Sequence, residues 1–204
     1  RDILRRSTIG IIGTNRSVSV EAPGSNQAFG VDANLSFYQN VNLDTYYART
    51  TTSGFSGRDE SYRAAFNYAA DRYGARAQHL AVGENFNPEI GFLRRNDFRQ
   101  SQASLRFSPR PRSIEAIRKV YFTGRFDYIT NWENRLESRE VQGNFGMELE
   151  NGDTWSVAYE RKFEFLDEDF EISDGIFIPV GAYHFSNVRA GYSCVFNLLL
   201  TCLS

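Results

Sequence analysis

The 204-residue sequence predicts an all-β fold, in which about ten antiparallel strands form an up-and-down membrane β-barrel or a large part of one. Three observations support this prediction. Apolar and polar side chains alternate along most of the chain, the alternating segments are about ten residues long, and aromatic residues make up 15% of the sequence. Ordinary strands have about five or six residues, so these longer segments favour tilted, membrane-crossing strands over those of a soluble sandwich.

The clearest alternation lies in residues 61–73. Tyr62 and Phe66 point to one side of the predicted strand, and Arg63 and Asn67 point to the other, because successive side chains on a strand face opposite sides. The sequence therefore predicts a sheet with one apolar and one polar face. Charged residues are expected in mid-strand on the polar face: Asp32, Arg63, Asp71, Arg125, Asp127, Glu160 and Lys162.

Ten strands follow from the alternation and from the Gly, Pro, Asn and Asp residues between the alternating segments. They are predicted at residues 8–16, 28–39, 43–52, 61–73, 75–82, 98–107, 120–129, 141–149, 154–165 and 182–196. Tight turns are expected at residues 40–42 and at residues 151–153, where an Asn-Gly pair favours a short hairpin connection. Pro109 and Pro111 exclude their segment from a ladder, because proline has no N–H donor.

Composition limits the possible functions. The net charge of −2 argues against nucleic acid as a partner, and no apolar stretch approaches the roughly 20 residues of a membrane helix. No catalytic triad, phosphate loop, dinucleotide fingerprint or zinc-ligand spacing occurs, so no catalytic residue, cofactor or metal site is predicted. Cys194 and Cys202 are either a disulfide pair or two small apolar residues. We expect residues 1–204 to be a single domain from a larger protein.

A candidate lumen or binding loop interrupts the alternation between the fifth and sixth predicted strands. Pro88 and Gly91 favour a compact loop, its phenylalanines are expected to pack it down, and its arginines to hold carboxylates such as Glu84 or Glu89. Two interpretations remain open: a plug, constriction or binding loop inside a lumen, and a loop that braces the wall through ion pairs. The candidate residues are Glu84, Asn85, Phe86, Asn87, Pro88, Gly91, Phe92, Arg94 and Arg95.

Two charged groups are further candidates for binding. The basic group suits either the phosphates of lipopolysaccharide or a solvated rim, and consists of Arg94, Arg95, Arg99, Arg106, Arg110, Arg112, Arg118 and Lys119. The acidic group consists of Glu164, Asp167, Glu168, Asp169, Glu171 and Asp174. Its spacing is partly that of a calcium loop, but Ile172 stands where the turn of such a loop needs glycine, so a solvated loop is the default expectation.

One segment resembles a known family signature, which is a signal beyond the alternation of apolar and polar residues. Residues 82–98, VGENFNPEIGFLRRNDF, resemble the signature of a bacterial family of unknown function. In that family the segment belongs to the C-terminal outer-membrane β-barrel of proteins whose N-terminal region resembles a carbohydrate-binding module of family 9. Shorter segments agree in order and spacing over about residues 1–190: Arg5-Arg6-Ser7, Ser25-Asn26 with Gly30 and Asp32, Asn151-Gly152-Asp153, and residues 178–183.

The resemblance implies an outer-membrane β-barrel, and this chain is similar to the later part of it. Its implied role is to anchor a larger surface protein or to form a passage for it. The implied partners are outer-membrane lipid including lipopolysaccharide, the barrel assembly machinery, and a glycan that binds a domain outside this chain. The alternative from the residues is a soluble all-β domain that binds or cleaves carbohydrate. A requirement for detergent separates the two.

Overall fold

The computed structural model describes residues 6–20, 23–89 and 91–195, which form strands, turns and loops. Ten long strands make one sheet: β1 (Thr8–Arg16), β2 (Asn26–Phe37), β3 (Val41–Thr52), β4 (Glu60–Ala69), β5 (Tyr73–Val82), β6 (Phe98–Phe107), β7 (Ile117–Thr130), β8 (Leu136–Leu149), β9 (Thr154–Leu166) and β12 (Gly181–Ser193). A separate hairpin, β10 (Phe170–Ser173) with β11 (Ile176–Ile178), lies between β9 and β12. No helix in these residues is long and apolar enough to cross a membrane.

The topology is up-and-down. Each long strand pairs antiparallel with the next one along the chain, in the order β1 to β9 and then β12. This confirms the predicted all-β antiparallel fold of about ten strands. Within the described ranges β1 and β12 are the two edges of the sheet, because each pairs on one side only. Cys194 follows β12 and is exposed, whereas Cys202 and residue 196 lie outside the described residues.

Several predicted boundaries are wrong; β8, for example, begins at Leu136, five residues before its predicted start. The strand predicted to run to Tyr73 ends at Ala69, because the Ala70 N–H donates to the Tyr73 carbonyl at 2.9 Å and closes a turn. Asp71 therefore lies in this turn and not in mid-strand. The β2–β3 turn lies at residues 38–40, before the predicted position, and Tyr38 adopts a positive φ of 55° there.

The connections between strands differ at the two ends of the sheet. The β2–β3, β4–β5, β6–β7 and β8–β9 connections lie at one end, which we call the turn end. The β1–β2, β3–β4, β5–β6, β7–β8 and β9–β12 connections lie at the other end, which we call the loop end. Connections at the loop end are generally longer; the β5–β6 connection runs from residue 83 to residue 97.

The apolar face is the more exposed face of the sheet. On β6, Leu105 and Phe107 are exposed by 67% and 38%, while Gln100, Gln102 and Ser104 on the other face are only half-exposed. Buried apolar side chains are few among the described residues: Ala65, Ala81, Val82 and Phe86. This arrangement is the reverse of a water-soluble sheet, which covers its apolar face.

Side-chain hydrogen bonds join neighbouring strands on the polar face. Arg63 on β4 donates to the Gln78 side chain at 2.8 Å, and Gln78 on β5 donates to Gln102 at 3.4 Å. Gln102 and Gln100 on β6 donate to the Asp127 carboxylate on β7 at 2.7 and 3.0 Å. Buried or half-buried polar groups need hydrogen-bond partners, and this network provides them for these side chains.

Polar groups also fix the turn end of β12. The predicted turn at residues 151–153 is present, with Gly152 at a φ of 91°. The Asp153 carboxylate accepts hydrogen bonds from the Tyr192 hydroxyl at 2.7 Å and from the Val195 N–H at 3.0 Å. The Tyr192 hydroxyl, the Val195 N–H and the Asn151 amide hold the pKa of Asp153 below its ordinary value. The β8–β9 turn therefore holds the end of the edge strand in place.

We predict that this attachment depends on the charge of Asp153. A lowered pKa means that the carboxylate stabilises the fold above the unfolded-state pKa of about 3.9, and that this contribution is lost as the pH falls through the folded-state pKa. Asp153→Asn should reduce the hydrogen-exchange protection of the Tyr192 and Val195 amides at neutral pH. In the unsubstituted chain, their protection factors should fall towards those of the variant below about pH 4. Glu150→Gln, in the same turn, is the control and should change neither; equal protection in all three chains at neutral pH would contradict the prediction.

Candidate functional site

The predicted candidate loop begins where β5 ends and folds against the preceding hairpins. The Gly83 N–H donates to the Glu60 carbonyl at 2.8 Å, and the Asn85 N–H donates to the Arg58 carbonyl at 3.1 Å. A Cβ atom on Gly83 would lie 1.9 Å from the Arg58 carbonyl oxygen, so only glycine allows this approach. We call residues 83–97 the β5–β6 loop; it starts pressed against the β3–β4 connection.

The middle of the β5–β6 loop is bound to the polar face of β2 and β3. The Asn87 N–H donates to the Thr50 hydroxyl at 2.9 Å, and the Asn87 carbonyl accepts from the Asn26 side-chain amide at 2.9 Å. The same Asn26 amide donates to Thr52 at 2.8 Å. Asn26, Thr50 and Thr52 are all buried, at 2%, 1% and 4% exposure. The loop therefore turns inward over the polar face and covers the ends of β2 and β3 at the loop end.

Glu89 attaches the loop to the β1–β2 connection. Its carboxylate accepts hydrogen bonds from the Ser19 hydroxyl and from the Val20 N–H, the latter at 2.9 Å. A guanidinium nitrogen of Arg16 lies 3.6 Å from the second oxygen, and the Glu89 side chain is only 2% exposed. A nearly buried carboxylate needs donors of this kind. The β5–β6 loop thus contacts the ends of four earlier strands or their connections.

Several expected contacts within the loop are different in the structure. Phe86 packs down as expected and is 9% exposed, but Phe92 is 88% exposed. Arg95 pairs with Glu137 on β8, and Arg94 is exposed; neither holds Glu84 or Glu89. Of the two interpretations, bracing contacts are visible along the loop, whereas a plug or constriction remains a prediction. The sequence does not predict the bracing partners Asn26, Thr50 and Glu137, because hydrogen-bonding partners so distant in sequence carry no local signal.

The predicted basic group is divided between the two ends of the sheet. Arg94, Arg95 and Arg99 lie at the loop end, while Arg106, Arg110, Arg112, Arg118 and Lys119 lie at the turn end. The ten residues of β6 separate them by about 30 Å. The group is therefore not a single surface. At the turn end, Arg110 pairs with Asp71 and holds the pKa of that carboxyl below its ordinary value.

The acidic group surrounds the β10–β11 hairpin. The Asp169 carboxylate accepts from the Val180 N–H and the Glu171 carboxylate from the Gly175 N–H, each at 3.0 Å. These acids therefore stabilise their own loop. No three His, Cys, Asp or Glu side chains come together to hold a metal ion in the part of the chain that the structure describes.

An aromatic row crosses the apolar face near the turn end. Ring centroids are 5.2 Å apart between Tyr73 and Phe107, 6.1 Å between Phe107 and Phe122, 5.1 Å between Phe122 and Phe145, and 5.8 Å between Phe145 and Trp155. The row therefore runs without a break over five strands, from β5 to β9. Such a girdle of aromatic rings is typical of the place where a protein surface passes from lipid to water.

An arginine line crosses the same face nearer the loop end. Arg49 on β3, Arg99 on β6, Arg139 on β8 and Arg161 on β9 all lie on the apolar face, as the strand register shows. Arg49 pairs with Asp59 at 3.1 Å, and Arg99 donates to the Asn134 side chain at 2.6 Å. The side chains of Arg139 and Arg161 make no hydrogen bond or ion pair within the described residues. They interrupt the apolar alternation of β8 and β9, but only the register aligns them with Arg49 and Arg99.

The arginine line is slanted relative to the strands. The register connects Arg161 to Leu43 on β3 through a row of directly paired residues: Val141, Phe126, Ala103, Ala77 and Phe66. Leu43 is six residues from Arg49, and β9 is six strands from β3. Six residues span about 20 Å along a strand, and six strand spacings span about 29 Å across the sheet. The strands are therefore inclined by about 35° to the direction perpendicular to the arginine line.

The aromatic row and the arginine line enclose an apolar band. On β6 the band runs from Arg99 to Phe107, and on β8 from Arg139 to Phe145. With the 35° inclination, its height between these backbone positions is about 22 Å on β6 and about 16 Å on β8. The long side chains at both borders extend beyond their backbone positions, which brings the height towards the roughly 25 Å apolar band of membrane β-barrels.

The chain was compared with protein-family models, with curated proteins and with solved structures, and none of them matches it. The resemblance of residues 82–98 to a family signature therefore stays a prediction.

We predict that the β5–β6 loop depends on the close approach at Gly83. Gly83→Ala should displace the loop and destabilise the fold by about 1–3 kcal/mol, because the added methyl overlaps the Arg58 carbonyl. Gly91→Ala is the matched control in the same loop, since the nearest atom would be an ordinary 3.4 Å away. The measurement is limited proteolysis within residues 84–96 together with urea unfolding. Equal cleavage rates for the two variants would show that the loop does not need the observed path.

Proposed function

We propose that this chain is a membrane-spanning part of an outer-membrane β-barrel, which anchors a larger surface protein or forms a passage for it. The observation that carries the proposal is the inverted exposure of the sheet: aromatic and aliphatic side chains are exposed while the polar face is partly covered. In water, an apolar face of this size favours aggregation or burial, whereas hydrocarbon tails cover it at no cost in hydrogen bonds.

The total accessible surface supports the same proposal. The chain exposes 14,556 Å². A compact soluble monomer of 23.3 kDa is expected to expose roughly 9,700 Å². An excess of this size is expected when no second layer covers the apolar face of a sheet, which leaves that face available to a lipid phase.

The slant of the arginine line gives further support. Strands in membrane β-barrels are tilted by about 35–45° from the membrane normal. If the arginine line lies parallel to a membrane surface, the strands are tilted by about 35°, as derived above from the register. Short turns of such barrels usually face the periplasm and long loops the exterior, which assigns the loop end to the outer leaflet.

The alternative, a soluble carbohydrate-binding or carbohydrate-cleaving domain, requires a second layer over the apolar face. None of the described residues forms such a layer; β10 and β11 make a separate hairpin whose apolar side chains are themselves exposed, such as Phe170 at 56%. The glycan-binding domain and the assembly machinery stay predictions, because they rest on the resemblance alone.

The polar face and the β5–β6 loop suit a passage. Charged and amide side chains line this face along β4 to β9, as they line the interior of water-filled barrels. The β5–β6 loop lies over the same face at the loop end and is held there by Asn87 and Glu89. In a closed barrel a loop in this position narrows the opening.

We predict that charge on the apolar face prevents insertion and that the same charge on the polar face does not. Ala103→Arg should destabilise the chain folded in lipid by about 2–4 kcal/mol, because Ala103 lies midway between Arg99 and Phe107 and an arginine there exposes a guanidinium to hydrocarbon near the middle of the band. Gln102→Arg, on the polar face of the same strand, keeps a donor beside Asp127 and should change stability little. The measurement is heat-modifiable migration on a gel after folding into vesicles, with urea titration. Equal effects of the two substitutions would argue against a lipid-facing surface.

A second prediction separates a passage from an anchor. Arg94→Gln with Arg95→Gln removes two positive charges and the Arg95–Glu137 ion pair from the β5–β6 loop. If the loop narrows a passage, single-channel conductance or anion preference of the reconstituted full-length protein should change. Gly91→Ala, in the same loop, is the control. Unchanged conductance would leave the anchor as the better account.

A further inference from the structure

Arg139 and Arg161 are the unusual members of the arginine line. The other two arginines are engaged by protein groups: Arg49 by Asp59, and Arg99 by the Asn131 carbonyl and the Asn134 side chain. Arg139 and Arg161 have no such partner within the described residues, although they lie on the apolar face beside exposed hydrophobic side chains. An arginine at the border of hydrocarbon is costly unless an anion or water satisfies it.

The two guanidinium-bearing residues are close enough to act together. Arg161 pairs directly with Val141 on β8, and Arg139 lies two residues along the same strand. Side chains in such diagonal positions have Cβ atoms about 7–8 Å apart, so two arginines can bind a single phosphate. Both line one depression of about 460 Å³, whose other lining residues include Phe126, Tyr159 and His184.

An apolar groove continues from this depression towards the turn end. Tyr159 lines both, and the groove has a volume of about 840 Å³. It exists because Gly124 and Gly143 face each other across β7 and β8, and a Cβ atom on either would meet nothing within 4 Å. Leu105, Phe122 and Val157 are among its walls.

We propose that this surface binds one lipid with a phosphate headgroup, and that the headgroup contacts Arg139 and Arg161 while an acyl chain lies in the groove over Gly124 and Gly143. The proposal rests on the proposed membrane function and adds a specific lipid site to it. A charged end followed by a long apolar channel complements an anionic lipid. A soluble anion would leave the groove empty, and a protein partner would have to provide both an acid and an apolar extension.

Native mass spectrometry of the full chain folded in detergent micelles tests the proposal, with bisphosphorylated lipid A and its phosphate-free form as probes. The unsubstituted chain should retain the phosphorylated lipid in preference to the phosphate-free one. Arg139→Gln and Arg161→Gln should each lower the retained fraction about tenfold, because each removes a charge-assisted hydrogen bond. Gly143→Leu should weaken the binding of both lipids, since a leucine side chain fills the groove without touching either arginine.

Arg125→Gln is the matched control. The Arg125 side chain is likewise free of hydrogen bonds and ion pairs among the described residues, but it lies on the polar face of β7. Its removal should leave lipid retention unchanged. The proposal is overturned if the arginine variants retain lipid as the unsubstituted chain does, if Arg125→Gln loses lipid equally, or if the phosphate-free lipid binds as well.

Heat-modifiable migration of every variant keeps this test separate from that of the membrane function. The arginine variants should fold at least as well as the unsubstituted chain, because each removes a charge from the apolar face. Folded variants with unchanged lipid retention overturn the lipid site alone. A chain that never folds into micelles or vesicles overturns the lipid site and the membrane function together.

Discussion

The exposed apolar face is the constraint on which the rest of this structure depends. A ten-stranded sheet can leave one face in water only if that face is polar, and here the exposed face carries Leu105, Phe107 and Phe122. The backbone of such a sheet is satisfied by its own ladder, so the surface that remains for the surroundings is hydrocarbon-like. The aromatic row and the arginine line mark where this surface ends, and the slant of the arginine line gives the inclination of the strands to that border.

Many side chains on the opposite face bind one another. Amide and carboxylate side chains bind one another across β4 to β7, and Lys162 on β9 lies between Glu140 and Glu160 at 3.3 and 3.1 Å. The β5–β6 loop adds to this polar face by binding Asn26 and Thr50, both nearly inaccessible to solvent. These hydrogen bonds attach the middle of the loop to β2 and β3.

Sequence patterns predicted the strands well where the signal was local. The Asn-Gly pair at 151–152 marked its turn, whereas the turn at Tyr38 was displaced because a non-glycine residue adopts a positive φ there. Phe86 and Phe92 carry the same signal in sequence, yet one is buried and the other is exposed, because only the first lies against the preceding hairpin. The members of the basic group are close together along the chain, and this proximity alone suggested a single basic surface.

The sequence by itself determined that one side of each strand is apolar and the other polar, since alternation with a period of two is a property of neighbouring residues. It also determined the number of long strands, because each ends at residues that favour turns. The tertiary structure decided which side chains share a row. Arg49 and Arg161 lie on one line only through the register of six successive strand pairs, and that register depends on packing and hydrogen bonding along the whole ladder. The same lateral pairing decided that the β5–β6 loop folds over the polar face, where its partners lie on β2 and β3.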